Sequence, residues 1–219
     1  MARARNDVTP RIDEIVLTGL AEGLRADLES GANLDGLAFD GLDLDGVDLA
    51  RLVLDGCALT GCTADGARLD RIRLIGSVVT RLTAAAFRAA GATFRDVRIA
   101  GTRIGAAELF DGEWQRVAID GSRIDYLNLS GGQLEDVRLT DCTVGDLDLR
   151  GAAVQRMSLT GCRIGALSVA EARLTALDLR GCDLERIDGG RHLAGAILAE
   201  EQLPRFAPLL AEALGVVVA

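Results

Sequence analysis

Five cysteines are the residues of this chain best suited to chemistry: Cys57, Cys62, Cys142, Cys162 and Cys182, the last three spaced twenty residues apart. Thiols at a regular spacing could bind a soft metal, form a disulfide or relay a redox change. Short-range ligand pairing is missing. No CxxC occurs, and the single histidine, His192, lies outside the series. Cysteine otherwise behaves as a small core hydrophobe, and that is the reading adopted here: five buried free thiols and no metal. Other chemistry is equally thin. There is no GxSxG, no Walker loop, no HExxH and no dinucleotide-binding glycine pattern. The many aspartates recur at regular positions, so any facing pair carries little weight as an acid–base couple. The expectation is a non-enzymatic protein without cofactor.

The frame that holds these residues is a period of five. Every fifth residue from Leu34 to Leu184 is apolar, 31 consecutive positions, and only Ala64, Ala84 and Ala89 are smaller than valine. Five matches neither a helix nor a flat strand. It suits a chain that turns a corner every five residues and buries one side chain per side. A second register lies two residues earlier, as in Leu37, Leu42, Val47, Leu52, Cys57, Cys62, Ala67 and Ile72. Residues i and i−2 of an extended backbone point the same way, so each unit sends two side chains inward. All five cysteines fall on this second register. Gly36, Gly41, Gly46, Gly56, Gly61, Gly66 and Gly76 sit two residues after a centre, where a tight corner favours glycine.

Units such as GANLD, GLDLD, GVDLA and GCALT resemble the pentapeptide-repeat family, whose consensus is roughly Ala-(Asp/Asn)-Leu-x-x, over about residues 26–188. The resemblance implies an all-β solenoid: a right-handed, four-sided β-helix with four units per coil. The repeats would then make nearly eight coils, a rod roughly 35–40 Å tall at ~4.8 Å per coil. Size matching agrees with a twenty-residue coil. Trp114, the one oversized centre, falls on the face that carries Gly112 and Gly132, and close packing wants an indole offset by missing side chains.

Composition fits a thin solenoid: 49% hydrophobic but only 3% aromatic, with a net charge of −9. That charge disfavours direct nucleic-acid binding through phosphates. No run of 18 apolar residues exists and the basic start is followed by no apolar core, so a cytoplasmic protein without membrane contact is expected.

The flanks break the period. Residues 1–25 read as a lead-in that is either partly disordered or caps the first coil. Residues 189–219 read as a C-terminal cap with a helix at about 200–214, its stripe formed by Leu203, Phe206, Leu210 and Leu214, Gly215 as its stop, and Val216–Val218 as a last strand. By the family resemblance this helix caps the rod and carries a homodimer contact; a cap alone is the alternative. Residues 82–92 keep phase but place Leu82 and Phe87 where small residues usually stand. A kink, an undisturbed coil and a short helix are all open there.

Outward charge is banded. Asp35, Asp40, Asp43, Asp45 and Asp48 dominate one end, arginines dominate residues 71–118, and Asp120, Asp125, Glu135, Asp136 and Asp141 form a second acidic zone. Two roles follow. One is a scaffold that binds another protein along a flat wall. The other is implied by the resemblance: some pentapeptide proteins mimic duplex DNA on the saddle of a type II topoisomerase and alter fluoroquinolone sensitivity. The arginine-rich middle departs from that pattern. These ten acids are the candidate partner surface and the helix stripe is the candidate dimer surface.

Overall fold

The computed structural model describes residues 8–216, and every wall of it repeats at twenty residues. Glu113 stacks on Gln133 and Thr93, Arg123 on Arg103 and Thr143, all in parallel ladders. Four five-residue sides make one coil, numbered here as walls 1 to 4 from the centres Leu34, Phe39, Leu44 and Leu49. Strands Arg73–Thr80, Thr93–Ala100, Glu113–Asp120, Gln133–Thr140 and Ala153–Thr160 bend through walls 1 and 2. Strands Thr83–Arg88, Arg103–Glu108, Arg123–Asn128, Thr143–Asp148, Arg163–Ser168 and Asp183–Asp188 run along wall 3 into wall 4.

The solenoid has about nine turns, more than the repeat region alone supplies. The extra length comes from both flanks. Ala21–Glu22 pairs with Leu37 and Ala38, an offset of sixteen residues, and Ala196–Ile197 pairs with Leu177 and Asp178, an offset of nineteen. Neither obeys the five-residue phase, so the pattern that reveals the rod is silent about its ends.

The inward assignment holds along the whole rod. No centre from Leu34 to Leu184 is exposed, and Leu54, Leu139, Leu149, Leu159 and Val169 are completely buried. Residues 82–92 form an ordinary coil, with Thr83–Arg88 paired to Arg103–Glu108. What changes there is the corner after wall 3. Gly46 and Gly66 turn it with positive φ, whereas from Ala86 onward the chain passes it as continuous strand. Successive backbones then crowd one residue earlier: a Cβ on Gly105 would stand 2.3 Å from the Ala85 carbonyl oxygen. The glycine therefore moves from two residues after the centre to one residue after it, at Gly105, Gly145 and Gly165.

Trp114 is buried and tilts against Phe94, ring centroids 4.8 Å apart. Its indole nitrogen lies 3.0 Å from where a Cβ of Gly112 would be. Gly132 has a different reason: a Cβ there would meet the carbonyl oxygens of Leu129 and Gly112 at 3.0 and 3.2 Å.

Both ends are closed. The strand Ala21–Glu22, the 3-10 turn Arg25–Asp27 and the buried Leu28 cover the first coil. At the other end a helix spans Leu203–Ala213, preceded by a 3-10 turn at Glu200–Gln202. Its stop is a Schellman arrangement: Gly215 takes positive φ and donates to Glu212, while Val216 donates to Ala211. Val216 is not part of a strand, and Val217 and Val218 lie outside the described residues.

Candidate partner surface

Stacking converts the sequence into columns, and the columns decide which acids meet. Outward on wall 1 the order is Asp35, Asp55, Ile75, Arg95, Gln115, Glu135, Gln155. On wall 2 it is Asp40, Thr60, Thr80, Ala100, Asp120, Thr140, Thr160. Asp43, Asp45 and Asp125 belong to wall 3, Asp48 to wall 4. Asp136 and Asp141 occupy the corners after walls 1 and 2, both with positive φ. The ten acids are thus spread around all four sides, and no column is acidic throughout.

The two acidic zones also differ in pairing. Asp35, Asp40 and Asp45 are exposed and in no ion pair among the described residues. Asp43 accepts from the Asp45 amide at 2.9 Å and the Thr63 hydroxyl at 3.2 Å, and Asp45 accepts from the Asp65 amide at 2.7 Å. Asp48 pairs with Arg68. In the second zone Asp120 meets Arg98 at 3.1 Å, Asp125 meets Arg123 at 3.2 Å, and Glu135 and Asp136 share Arg156 at 2.7 and 2.6 Å. Asp141 is exposed, its carboxylate beside Gly161.

The densest pairing lies at the corner between walls 1 and 2. Asp96, Arg116, Asp136 and Arg156 stack there at twenty-residue steps, each left-handed with φ of 54–56°. A side chain in that conformation costs roughly 1–2 kcal/mol. Here the coil spacing brings guanidinium and carboxylate into two-point contact, 2.5 and 2.7 Å for Arg116 with Asp96, 2.6 and 2.8 Å for Arg156 with Asp136, which offsets the cost. Burial alone would raise the Asp136 carboxyl, but the Arg156 hydrogen bonds outweigh it and hold the group below the usual range. Asp148 and Asp178 are depressed likewise, each gripped by the arginine two residues on, Arg150 and Arg180.

The N-terminal lead-in supplies something that sequence reasoning missed. The Arg11 amide donates to Asp136 at 2.9 Å. Ile12, Asp13, Glu14 and Ile15 then line a cleft of about 300 Å³ with Val97, Ala118 and Arg138 among its walls. From Arg11 to the Ala21–Glu22 strand the arm runs back along the rod as an extended segment with no regular structure until the strand. Half-buried Ile12, Ile15 and Leu17 were the available signal, but nothing in their spacing names the surface they cover.

Beside the ladder corner, wall 1 carries an open polar groove of about 510 Å³, lined outwardly by Arg95, Glu113, Gln115, Gln133, Glu135 and Arg173. Three of the chain's four glutamines, Gln115, Gln133 and Gln155, stand in it. That clustering was visible in the sequence once the twenty-residue phase was known.

All five thiols are buried and free. Burial pushes Cys57 and Cys62 up, and Cys182 up to about 12; Cys162 is raised by the thiol of Cys142 beside it and by burial. Among the described residues no group of three or more His, Cys, Asp or Glu could hold a metal ion, and no helix is long and apolar enough to cross a membrane.

The helix stripe divides. Phe206 is buried against the last coil and Leu210 half-buried, while Leu203 and Leu214 are 50% and 59% exposed. Gln202 blocks the open edge, donating to the Leu179 and Cys182 carbonyls at 2.9 and 3.1 Å, and Arg205 pairs with Asp183.

No family model and no curated protein sequence matches the chain. Among solved structures it is similar to a trypsin-treated variant of QnrB1, a plasmid-mediated fluoroquinolone resistance protein, at 21% identity over 88% of this chain and 93% of that one, TM-score 0.46. It is also similar to full-length QnrB1, at 19% identity over 89% and 95%, TM-score 0.32. HetL, a pentapeptide repeat protein involved in heterocyst differentiation regulation from the cyanobacterium Nostoc sp. strain PCC 7120, aligns at 19% identity over 77% and 90%, TM-score 0.23.

Proposed function

We propose that this chain, a pentapeptide-repeat β-solenoid, is a non-enzymatic scaffold that binds another protein along wall 1. The observation that carries the proposal is the N-terminal arm. The rod already accepts one extended segment along its side, anchored by a backbone amide on Asp136 and lining, with Ile12 and Ile15, a cleft shared with Val97 and Ala118. The neighbouring groove offers a second track of the same kind, with both charge signs and three amide side chains: Gln115, Glu135 and Gln155 stack at ~4.8 Å steps in one column and Gln133 stands in the column beside it. Such columns suit recognition of an extended polar chain by hydrogen bonds. The exposed Leu203 and Leu214 at the far end are the proposed edge of a homodimer.

A second reading, a DNA-mimic modulator of a type II topoisomerase, is favoured by Asp35, Asp40 and Asp45, whose carboxylates are exposed and outside any ion pair among the described residues. The interrupted columns on walls 1 and 2 weigh against it, because a duplex-like face needs charge along its length. DNA supercoiling by purified gyrase separates the two readings. The scaffold reading expects no inhibition and no drug protection at tens of micromolar folded protein. Salt-sensitive inhibition abolished by Asp→Asn changes at positions 43, 45 and 48 would reverse the order.

A further inference from the structure

The lumen is unevenly filled. Between Leu28 and Leu127 the rod encloses a cavity of about 90 Å³, lined almost wholly by aliphatic and aromatic side chains. Its origin lies in the repeat itself. The three centres smaller than valine, Ala64, Ala84 and Ala89, all fall in this stretch. Ala64 and Ala89 line the void together with Ala107, at positions where other coils place larger side chains. A solenoid cannot collapse around such a deficit, because the coil spacing is fixed by the backbone ladders above and below.

Two polar atoms of the lining have no partner: the Thr102 hydroxyl oxygen and the Trp114 indole nitrogen. Their residues are 1% and 2% exposed. A buried donor left unpaired is costly and rare in native proteins. Water is a poor occupant, since it needs two to four polar partners and the rest of the lining supplies hydrocarbon. A charged guest would lose its hydration with no counter-charge in the lining. Apolar cavities of order 150 Å³ stay dry and take benzene or xenon; this one is smaller, which limits the guest to about five heavy atoms.

We propose that this cavity is a binding site for a small neutral apolar molecule carrying one hydrogen-bond-accepting oxygen, the class of a short-chain alcohol or ketone. The alkyl part fills the space left at Ala89 and Ala107, within about one coil of Trp114, and the oxygen accepts from the Trp114 indole. Entry is at the N-terminal end. Leu28 closes the cavity there, under a cap held by a two-residue strand and a single 3-10 turn. The site lies on the inner side of wall 1, sharing Phe94 and Trp114 with the groove outside.

Trp114 is the only tryptophan, so the intact protein has one indole N–H resonance, and it reports from inside the cavity. Titration with 1-butanol should shift that resonance saturably, downfield as the indole gains an acceptor; xenon should produce a saturable shift at the surrounding methyl groups. Ala89→Val, which fills the void, should weaken both at least tenfold. Thr102→Val, nearly isosteric, should leave xenon binding unchanged. Should Ala89→Val fail to fold, Ala107→Val takes its place. A non-saturable response, or equal binding in the filled variant, overturns the proposal. So does a long-lived water detected at the indole N–H with no displacement by either guest.

Discussion

At the corner between walls 1 and 2 the first three coils carry Gly36, Gly56 and Gly76, and the next four carry Asp96, Arg116, Asp136 and Arg156, all at positive φ. One backbone geometry is reached in two ways. Glycine removes the steric cost and leaves nothing at the corner to pair with a neighbour. Charged residues incur the cost and offset it by two-point ion pairs between coils. The same contrast runs through the rest of the rod. At the glycine-cornered end Asp35, Asp40 and Asp45 are exposed without arginine partners among the described residues, and the lumen is underfilled at Ala64 and Ala89, a void that runs on to Leu127. The charge-cornered end pairs Asp96, Asp120, Asp125, Glu135 and Asp136 with arginines and, beyond that void, fills its lumen with Val144, Leu149, Val154 and Leu159, with Cys142 and Cys162 stacked beneath wall 3. A repeat fixes backbone spacing, and side-chain choice then sets which stretch is rigidly tied and which is loose.

The largest expected effect tests the packing difference. Leu139→Asp places an unpaired charge in the filled half and should cost about 4 kcal/mol or more. Leu59→Asp, at the equivalent wall 2 position but half-buried and lining the cavity, should cost distinctly less. Equal losses in denaturant unfolding would erase the contrast between the halves.

Next comes the ladder. Asp136→Asn breaks a pair whose carboxylate side chain is 7% exposed and should cost about 2–4 kcal/mol, against less than about 0.5 kcal/mol for Asp35→Asn. The pH dependence carries the sign. Asp136 is depressed in the folded state, so its contribution is complete above the unfolded value of about 3.9 and is lost as pH falls through the lower folded value. Chemical unfolding of the wild type between pH 5 and 2 should steepen relative to Asp136→Asn. Parallel curves would remove the ladder as a source of stability.

Gly112→Leu should cost about 1–3 kcal/mol by overpacking, and Trp114→Leu should recover part of it, because the indole nitrogen faces that position. Gly132→Leu should show no such recovery, since backbone carbonyls are what it would strike. A double-mutant cycle with the opposite pattern would mean the indole packs elsewhere.

The smallest effects are expected from Thr140→Asp, within about 0.5 kcal/mol, and from thiol reagents, to which all five cysteines should react slowly until denaturant is added. Fast native labelling of Cys57 or Cys62 alone would indicate that the glycine-cornered end opens locally.

The rod was legible because one apolar side chain every five residues admits few backbones, and Leu139, Cys162 and Gly41 could each be placed inward, inward and at a corner from phase alone. The arm was not legible. Ile12 and Ile15 cover a wall whose position depends on coils more than eighty residues away, and no period links them. Charge bands were legible as bands, but pairing was not: Arg156 reaches Asp136 across a full coil, and linear proximity does not show it. The groove on wall 1 emerged only when Gln115, Glu135 and Gln155 were stacked in one column.

The claim that wall 1 is the working surface can be tested by placing a photo-crosslinking residue at Gln115 and, separately, at Asp45, then irradiating intact cells. The account predicts a discrete protein adduct from position 115, lost with Glu135→Arg, and none from position 45. An adduct from position 45 alone, or nothing from 115 in a folded protein, would contradict it.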